Sequence, residues 1–187
     1  MVDLIAAAFE LQQRLEAHAW RFCFIGGLAV QHWGEPRLTR DLDLALLSGF
    51  GNEAPFVDAL LAHYTGRIAD ARAFALERRI LLLRTESGIG IDVSLAALPF
   101  EEQAVNRSSE IEFMPGTRLR ICSAEDLIVM KIFAGREIDL HDVRSIIVRQ
   151  GDSNLDWGYV EPHVSALAGL KEDADMVARL RRLRANR

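Results

Sequence analysis

Residues 22–47 read FCFIGGLAVQHWGEPRLTRDLDLALL. Phe22 to Ile25 is a short unbroken apolar run stopped by Gly26-Gly27, the pattern of a buried strand. Leu28 to Trp33 follows as a short helix, ended by Gly34 with Pro36 beyond it. From Asp41 to Leu47 the side chains alternate. Asp41, Asp43 and Ala45 fall on one side and Leu42, Leu44 and Leu46 on the other, which predicts a half-buried strand with two carboxylates on one face. Those carboxylates lie two strand rises apart, roughly 6–7 Å at the Cα atoms. That spacing suits oxygen ligation of a divalent cation. A diglycine at a strand end that opens a helix exposes backbone N–H groups at a positive dipole end, a setting for phosphate.

Outward from this stretch, Val2 to about Ala19 has the periodicity of an amphipathic helix. Leu4, Ile5, Ala8, Leu11 and Leu15 form the apolar face, with Glu10, Gln12, Gln13 and Glu16 mostly opposite. Glu53 to about Tyr64 is a further helix, and Thr65 to Phe74 has no clear pattern. Arg79 to Arg84 and Ile89 to Leu95 read as two strands around a turn at Glu86-Ser87-Gly88, the second carrying Asp92. Pro99 to Val105 is a short helix. Glu110 to Phe113 and Arg118 to Ile121 flank Pro115-Gly116 as a hairpin. Ser123 is placed to cap a helix with acids in its first turn. A second helix spans about Glu137 to Arg149, and two more cover Trp157 to Leu167 and Glu172 to Arg184. The order is a mixed α/β front followed by a helical back third.

Composition bounds the functional classes. The chain has 187 residues, 50% of them hydrophobic and 26% charged, which is a globular composition. Its net charge of −5 argues against a broad electrostatic footprint for nucleic acid, though not against a local basic groove. Cys23 and Cys122 are too few for a disulfide framework and lie in apolar runs, so buried thiols in a reducing compartment are expected. No apolar stretch reaches the ~20 residues of a membrane span. The N-terminus has no basic segment of the secretory kind. A cytoplasmic protein is expected.

Three features therefore fall in sequence: Gly26-Gly27, then Asp41 and Asp43, then Asp92 on a later strand. A third carboxylate on a neighbouring strand would complete a two-metal site with ions ~3.5–4 Å apart. Three such acids repel one another unless a cation lies among them. The run from Phe24 to Leu44 resembles the signature of the nucleotidyltransferase superfamily, the group with the DNA polymerase β-like fold. Within it, Gly34, Arg37, Thr39, Asp41 and Asp43 are most similar to the bacterial AbiEii-type branch. The strand GIDVSLAALPFE resembles the one carrying the third acid, at Asp92. The stretch SAEDLIVMKIFAGREIDLHDV resembles the branch's helical motif, with Lys131, Arg136, Asp139 and Asp142. The likeness runs from about Phe22 to Ile147. One departure is chemical: the more familiar motif has Ser after the first Gly, where this chain has Gly27 and no hydroxyl.

The resemblance implies a nucleotidyltransferase-like mixed sheet flanked by helices, with residues 1–122 as the core and 123–187 as a helical C-terminal part of the same compact unit. It implies an NTP substrate with its triphosphate near Gly26, Gly27 and Lys131, and Mg²⁺ (or Mn²⁺) held by Asp41, Asp43 and Asp92. Asp92 would take the proton from an acceptor hydroxyl. Arg37, Thr39, Arg40 and Asp139 are the further nucleotide-binding candidates. The acceptor would be tRNA, for a toxin paired with an antitoxin protein, or a small molecule, as in aminoglycoside nucleotidyltransferases. A nucleotide-binding module without turnover and a plain interaction protein are the rival readings. Individual residues carry two readings each. Lys131 either faces phosphate or snorkels from an amphipathic helix. Arg40 either neutralises the acids or grips a phosphate. Asp139 and Asp142 share a helix face toward the site, cap the helix start, or pair with Arg136 and Arg144, a structural role being favoured for Asp142. The Arg179, Arg181, Arg182, Arg184 and Arg187 cluster is a solvated helix face or a contact for RNA or an acidic partner.

Overall fold

The structure, a computed structural model, describes residues 1–185. Its mixed sheet grows from the alternation at 41–47. Leu42, Leu44 and Leu46 are fully buried, while Asp41 is exposed and Asp43 half-buried. The chain divides into two compact units: Met1–Leu28 with Leu38–Cys122, and Ala29–Arg37 with the chain from Ser123 onward.

The first unit is built on seven strands: β1 (Phe22–Ile25), β2 (Asp41–Leu47), β3 (Thr65–Gly66), β4 (Ile80–Arg84), β5 (Gly90–Ala96), β6 (Ser109–Met114) and β7 (Thr117–Ile121). Their order is β3-β4-β5-β2-β1-β7-β6. The β2–β5 and β1–β7 pairs are parallel and the remaining pairs antiparallel. Four helices belong to this unit: α1 (Val2–Ala17), α3 (Ala54–Leu61), α4 (Ala71–Arg78) and α5 (Pro99–Arg107). The unpatterned stretch 65–74 proves to hold the two-residue strand β3 and the start of α4, elements too short to show a period. α1 buries the apolar stripe expected of it, with one correction. Gln12 is buried rather than solvent-facing, because its amide donates to the Arg118 carbonyl (3.2 Å) and accepts from the Arg120 N–H (2.9 Å). That bidentate bond satisfies the backbone of β7 where α1 lies against it.

Helix α2 (Gly26–Trp33) starts at the glycines themselves, two residues earlier than the apolar pattern indicates, with Gly26 at φ +59°. The second unit holds α6 (Ala124–Ala134), α7 (Glu137–Gln150), a 3-10 turn at Asp152–Asn154, α8 (Trp157–Lys171) and α9 (Met176–Ala185). Ser123 caps α6, accepting from the Asp126 N–H at 3.1 Å, and Gly135 at φ +71° ends the helix. α7 buries Asp139, Asp142, Val143, Ile146 and Ile147, a helical stripe that begins with two acids. Both are neutralised inside the unit. The Lys131 ammonium lies 2.8 Å from Asp139 and 2.8 Å from Asp142. Arg37 grips Asp142 with two bonds of 2.8 and 2.9 Å, and Arg136 reaches Asp139 at 2.6 Å. On α9 and its surroundings, Arg179, Arg181, Arg182 and Arg184 each pair with an acid of the same unit, while Arg187 lies outside the described residues.

Burial by itself would raise the Asp139 and Asp142 carboxyls, but the hydrogen bonds from Arg136 and Arg37, together with Lys131, outweigh it and hold both below their ordinary value of 3.8. Groups depressed in this way stabilise the folded state fully above about pH 4, and that stabilisation is lost as the pH falls below it. Denaturant unfolding between pH 7 and 3 is expected to show a loss of stability confined to the acid end. Lys131→Met, which takes the shared cation from two buried carboxylates and leaves each with one arginine, is expected to cost about 1–3 kcal/mol at pH 7 in the same measurement.

Candidate active site

The pairing of β2 with β5 brings the strand acids together. Their register sets Asp43 beside Asp92 and Asp41 beside Gly90. Leu42 and Ile91, between them in sequence, are fully buried, so the acids share the opposite face. β1 lies on the other side of β2 with Ile25 opposite Asp43, which delivers the diglycine bend to the same place. The Gly27 N–H donates to Asp43 Oδ2 at 3.2 Å. A Cβ at Gly26 would collide with the Asp43 carboxylate, and one at Gly27 with the Thr39 hydroxyl. Both glycines are thus required by close approach, and Gly26 also by its left-handed backbone. Thr39 Oγ1 donates to the Asp41 carbonyl at 3.3 Å, tying the approach to β2. Arg40 is exposed.

A residue that sequence reasoning missed completes the site. Arg67, just past β3, forms an ion pair with Asp92 and stands 3.9 Å from Asp41. Its backbone N–H is fixed by the Leu82 carbonyl at 2.9 Å. The stretch 65–74 offered no motif to reveal it. Gly90, opposite Asp41, is a further missed position, since a Cβ there would strike both the Asp41 carboxylate and the Arg67 guanidinium. Burial raises the Asp92 carboxyl; the Arg67 charge opposes that rise and the charge of Asp41 adds to it.

The donor set of Asp41, Asp43 and Asp92 consists of carboxylate oxygens, the ligands a hard divalent cation takes. Among the described residues no three Asp, Glu, His or Cys side chains are drawn close enough to enclose one ion. The acids fit such a cation by donor chemistry and by register, and Arg67 supplies the positive charge among them. The other sequence candidates, Arg37, Lys131 and Asp139, fall in the second unit. There they form the buried ionic cluster described above, with Lys131 only 5% exposed. The ammonium of Lys131 is not an open charge, and the guanidinium of Arg37, though partly exposed, is committed to Asp142 by two bonds.

Among the described residues no helix is long and apolar enough to cross a membrane. The fold has solved counterparts. The antigenic nucleotidyltransferase-like protein from Paracoccidioides brasiliensis is 18% identical, with 95% of this chain and 92% of that chain covered and a TM-score of 0.53. ANT(2")-Ia in complex with adenylyl-2"-tobramycin is 16% identical, covering 91% and 96% at a TM-score of 0.51. The lincosamide antibiotic adenylyltransferase LnuA, lincomycin-bound, is 16% identical, covering 74% and 92% at 0.50. No curated protein matches the chain significantly. The family model for the nucleotidyl transferase AbiEii toxin of type IV toxin–antitoxin systems matches residues 11–155, a span that includes the diglycine, all three strand acids and the Lys131 cluster. By that match and by the sheet that carries it, the chain belongs to the AbiEii family of nucleotidyltransferases.

Proposed function

We propose that this nucleotidyltransferase moves an NMP from an NTP to a hydroxyl of tRNA, as the toxin of a pair whose second member is an antitoxin protein. The observation that carries the nucleotidyl-transfer part of this reading is the placement of Asp43 beside Asp92, two residues along β2 from Asp41, against the Gly26-Gly27 bend, while the toxin part follows from the family match. Asp41, Asp43 and Asp92 would hold Mg²⁺ or Mn²⁺. Such an ion, when bound, would neutralise the polyphosphate and ease the departure of pyrophosphate. The glycines let Asp43 and Thr39 close on the bend, so Thr39 offers the hydroxyl that Gly27 lacks. Arg40, exposed next to Asp41, is available to phosphate. Asp92 accepts the proton of the acceptor hydroxyl. The acceptor oxygen bonds to the α-phosphorus, the bond from that phosphorus to its bridging oxygen breaks, and pyrophosphate leaves. The protein's share in this is positioning and charge. Lys131, Arg37 and Asp139 serve by holding α6 and α7 together rather than by touching the triphosphate. With NTP and tRNA as substrates, the cytoplasm is the compartment.

A second reading, transfer to a small molecule, is favoured by the net charge of −5 and by the likeness to antibiotic adenylyltransferases. Labelled NTPs with Mg²⁺, offered bulk tRNA in one reaction and lincomycin or tobramycin in another, separate the two. Label in tRNA is expected. Label in the antibiotic decides for the second reading, and tight NTP binding without product in any pool decides for a non-catalytic nucleotide-binding module. Asp43→Asn and Asp92→Asn are each expected to lower incorporation about 10²–10³-fold while the chain stays folded. Gly26→Ala is expected to lower it comparably, because the added methyl displaces the Asp43 carboxylate, and to cost about 1–2 kcal/mol in the left-handed backbone. Unchanged incorporation in these variants would remove the strand acids from the reaction.

A further inference from the structure

We propose that Arg67 is a positioning residue of the acidic site: its guanidinium occupies the cation's part between Asp41 and Asp92 and competes with a divalent metal for them. The proposal rests on the reading of the strand acids as a metal site and goes beyond it in naming what holds those acids when no metal does.

The observations converge on this one side chain. Asp41, Asp43 and Asp92 share one face of two neighbouring strands, where like charges repel one another. Arg67 comes from outside that pair of strands. It sits past the edge strand β3, yet its backbone is pinned to Leu82, the residue of β4 that lies beside Asp92 in register. From there its side chain bonds Asp92 with one terminal nitrogen, while the other stands 3.9 Å from Asp41. Gly90 keeps the space open, since any side chain there would strike both partners of the Arg67–Asp41 approach. The space left by the absent side chain is filled by the Asp41 carboxylate and the Arg67 guanidinium. The contrast with Lys131 is instructive. That cation is 7% exposed at its side chain and locked between fully buried acids, whereas Arg67 is 30% exposed and its acid partners are 37% and 52% exposed. A pair open to water to this extent exchanges partners at small cost. Two hard carboxylates then meet either a guanidinium or a hydrated divalent ion, and the two cations exclude each other.

The test is Mn²⁺ alone, titrated into the full chain and followed by the loss of its free electron paramagnetic resonance signal, with melting temperatures taken in EDTA. Arg67→Gln is expected to bind Mn²⁺ about tenfold more tightly than the wild type, to melt lower in EDTA, and to regain that loss when Mn²⁺ is added. Arg67→Lys, which keeps the charge but loses the fork, is expected to lie between. A purely structural arginine would lower the melting temperature without tightening the metal. If the wild type binds Mn²⁺ and both variants bind it no more tightly, Arg67 does not compete and the proposal is overturned while the metal site stands. If neither the wild type nor Arg67→Gln binds Mn²⁺, the metal site itself falls and the proposal with it.

Discussion

Everything in the active half of this protein depends on the burial of Leu42, Leu44 and Leu46 at the centre of a seven-stranded sheet. A strand has a period of two, so putting three leucines into the core drives Asp41 and Asp43 to the opposite face. The same constraint acts on β5, where Ile91, Val93 and Leu95 are buried and Asp92 is turned with the acids of β2. A slip of either strand by one residue would bury a carboxylate and expose a leucine, which apolar burial forbids at a cost of several kcal/mol. The chemistry of the site is thereby fixed through the packing of residues that never touch it.

The protein handles concentrated negative charge in two ways. In the second unit, Asp139 and Asp142 are taken wholly out of water and satisfied by Lys131, Arg37 and Arg136 at hydrogen-bond distance. Such a cluster is expensive to break and has no capacity left for a ligand. In the first unit the acids stay partly in water, and their partner Arg67 is itself partly exposed. The difference in solvent access separates a closed ionic network from an open one, although both use carboxylates and basic side chains of the same kind.

The diglycine shows how the geometry of a motif can differ from what its sequence suggests. Gly26-Gly27 stands where the apolar run stops, and backbone donors at a helix start are what the sequence leads one to expect there. In the fold, the missing side chains make room for Asp43 and Thr39, and the Gly27 N–H is given to the Asp43 carboxylate. The glycines therefore act first on the placement of an acid. That role depends on β1 lying antiparallel to β2 with Ile25 opposite Asp43, a pairing that local sequence does not contain.

From the sequence alone came the mixed α/β class, the strands bearing the three acids, the capped helix at Ser123 and the family of the chain, because each is written in short-range pattern: a period, a cap, an ordered motif. What only the tertiary structure decided were the relations between segments far apart in the chain. Arg67 lies in a stretch with no period and meets Asp92 across 25 positions; Gly90 matters only because Asp41 is its neighbour in register; Gln12 is buried because two backbone groups of β7 need it; and Lys131 turns inward because Asp139 and Asp142 follow one and two turns into the next helix. Periodicity reports which face of an element is apolar, but the partner of a polar group is chosen by the closing of the chain on itself, where an unpaired buried charge costs more than any local preference can supply.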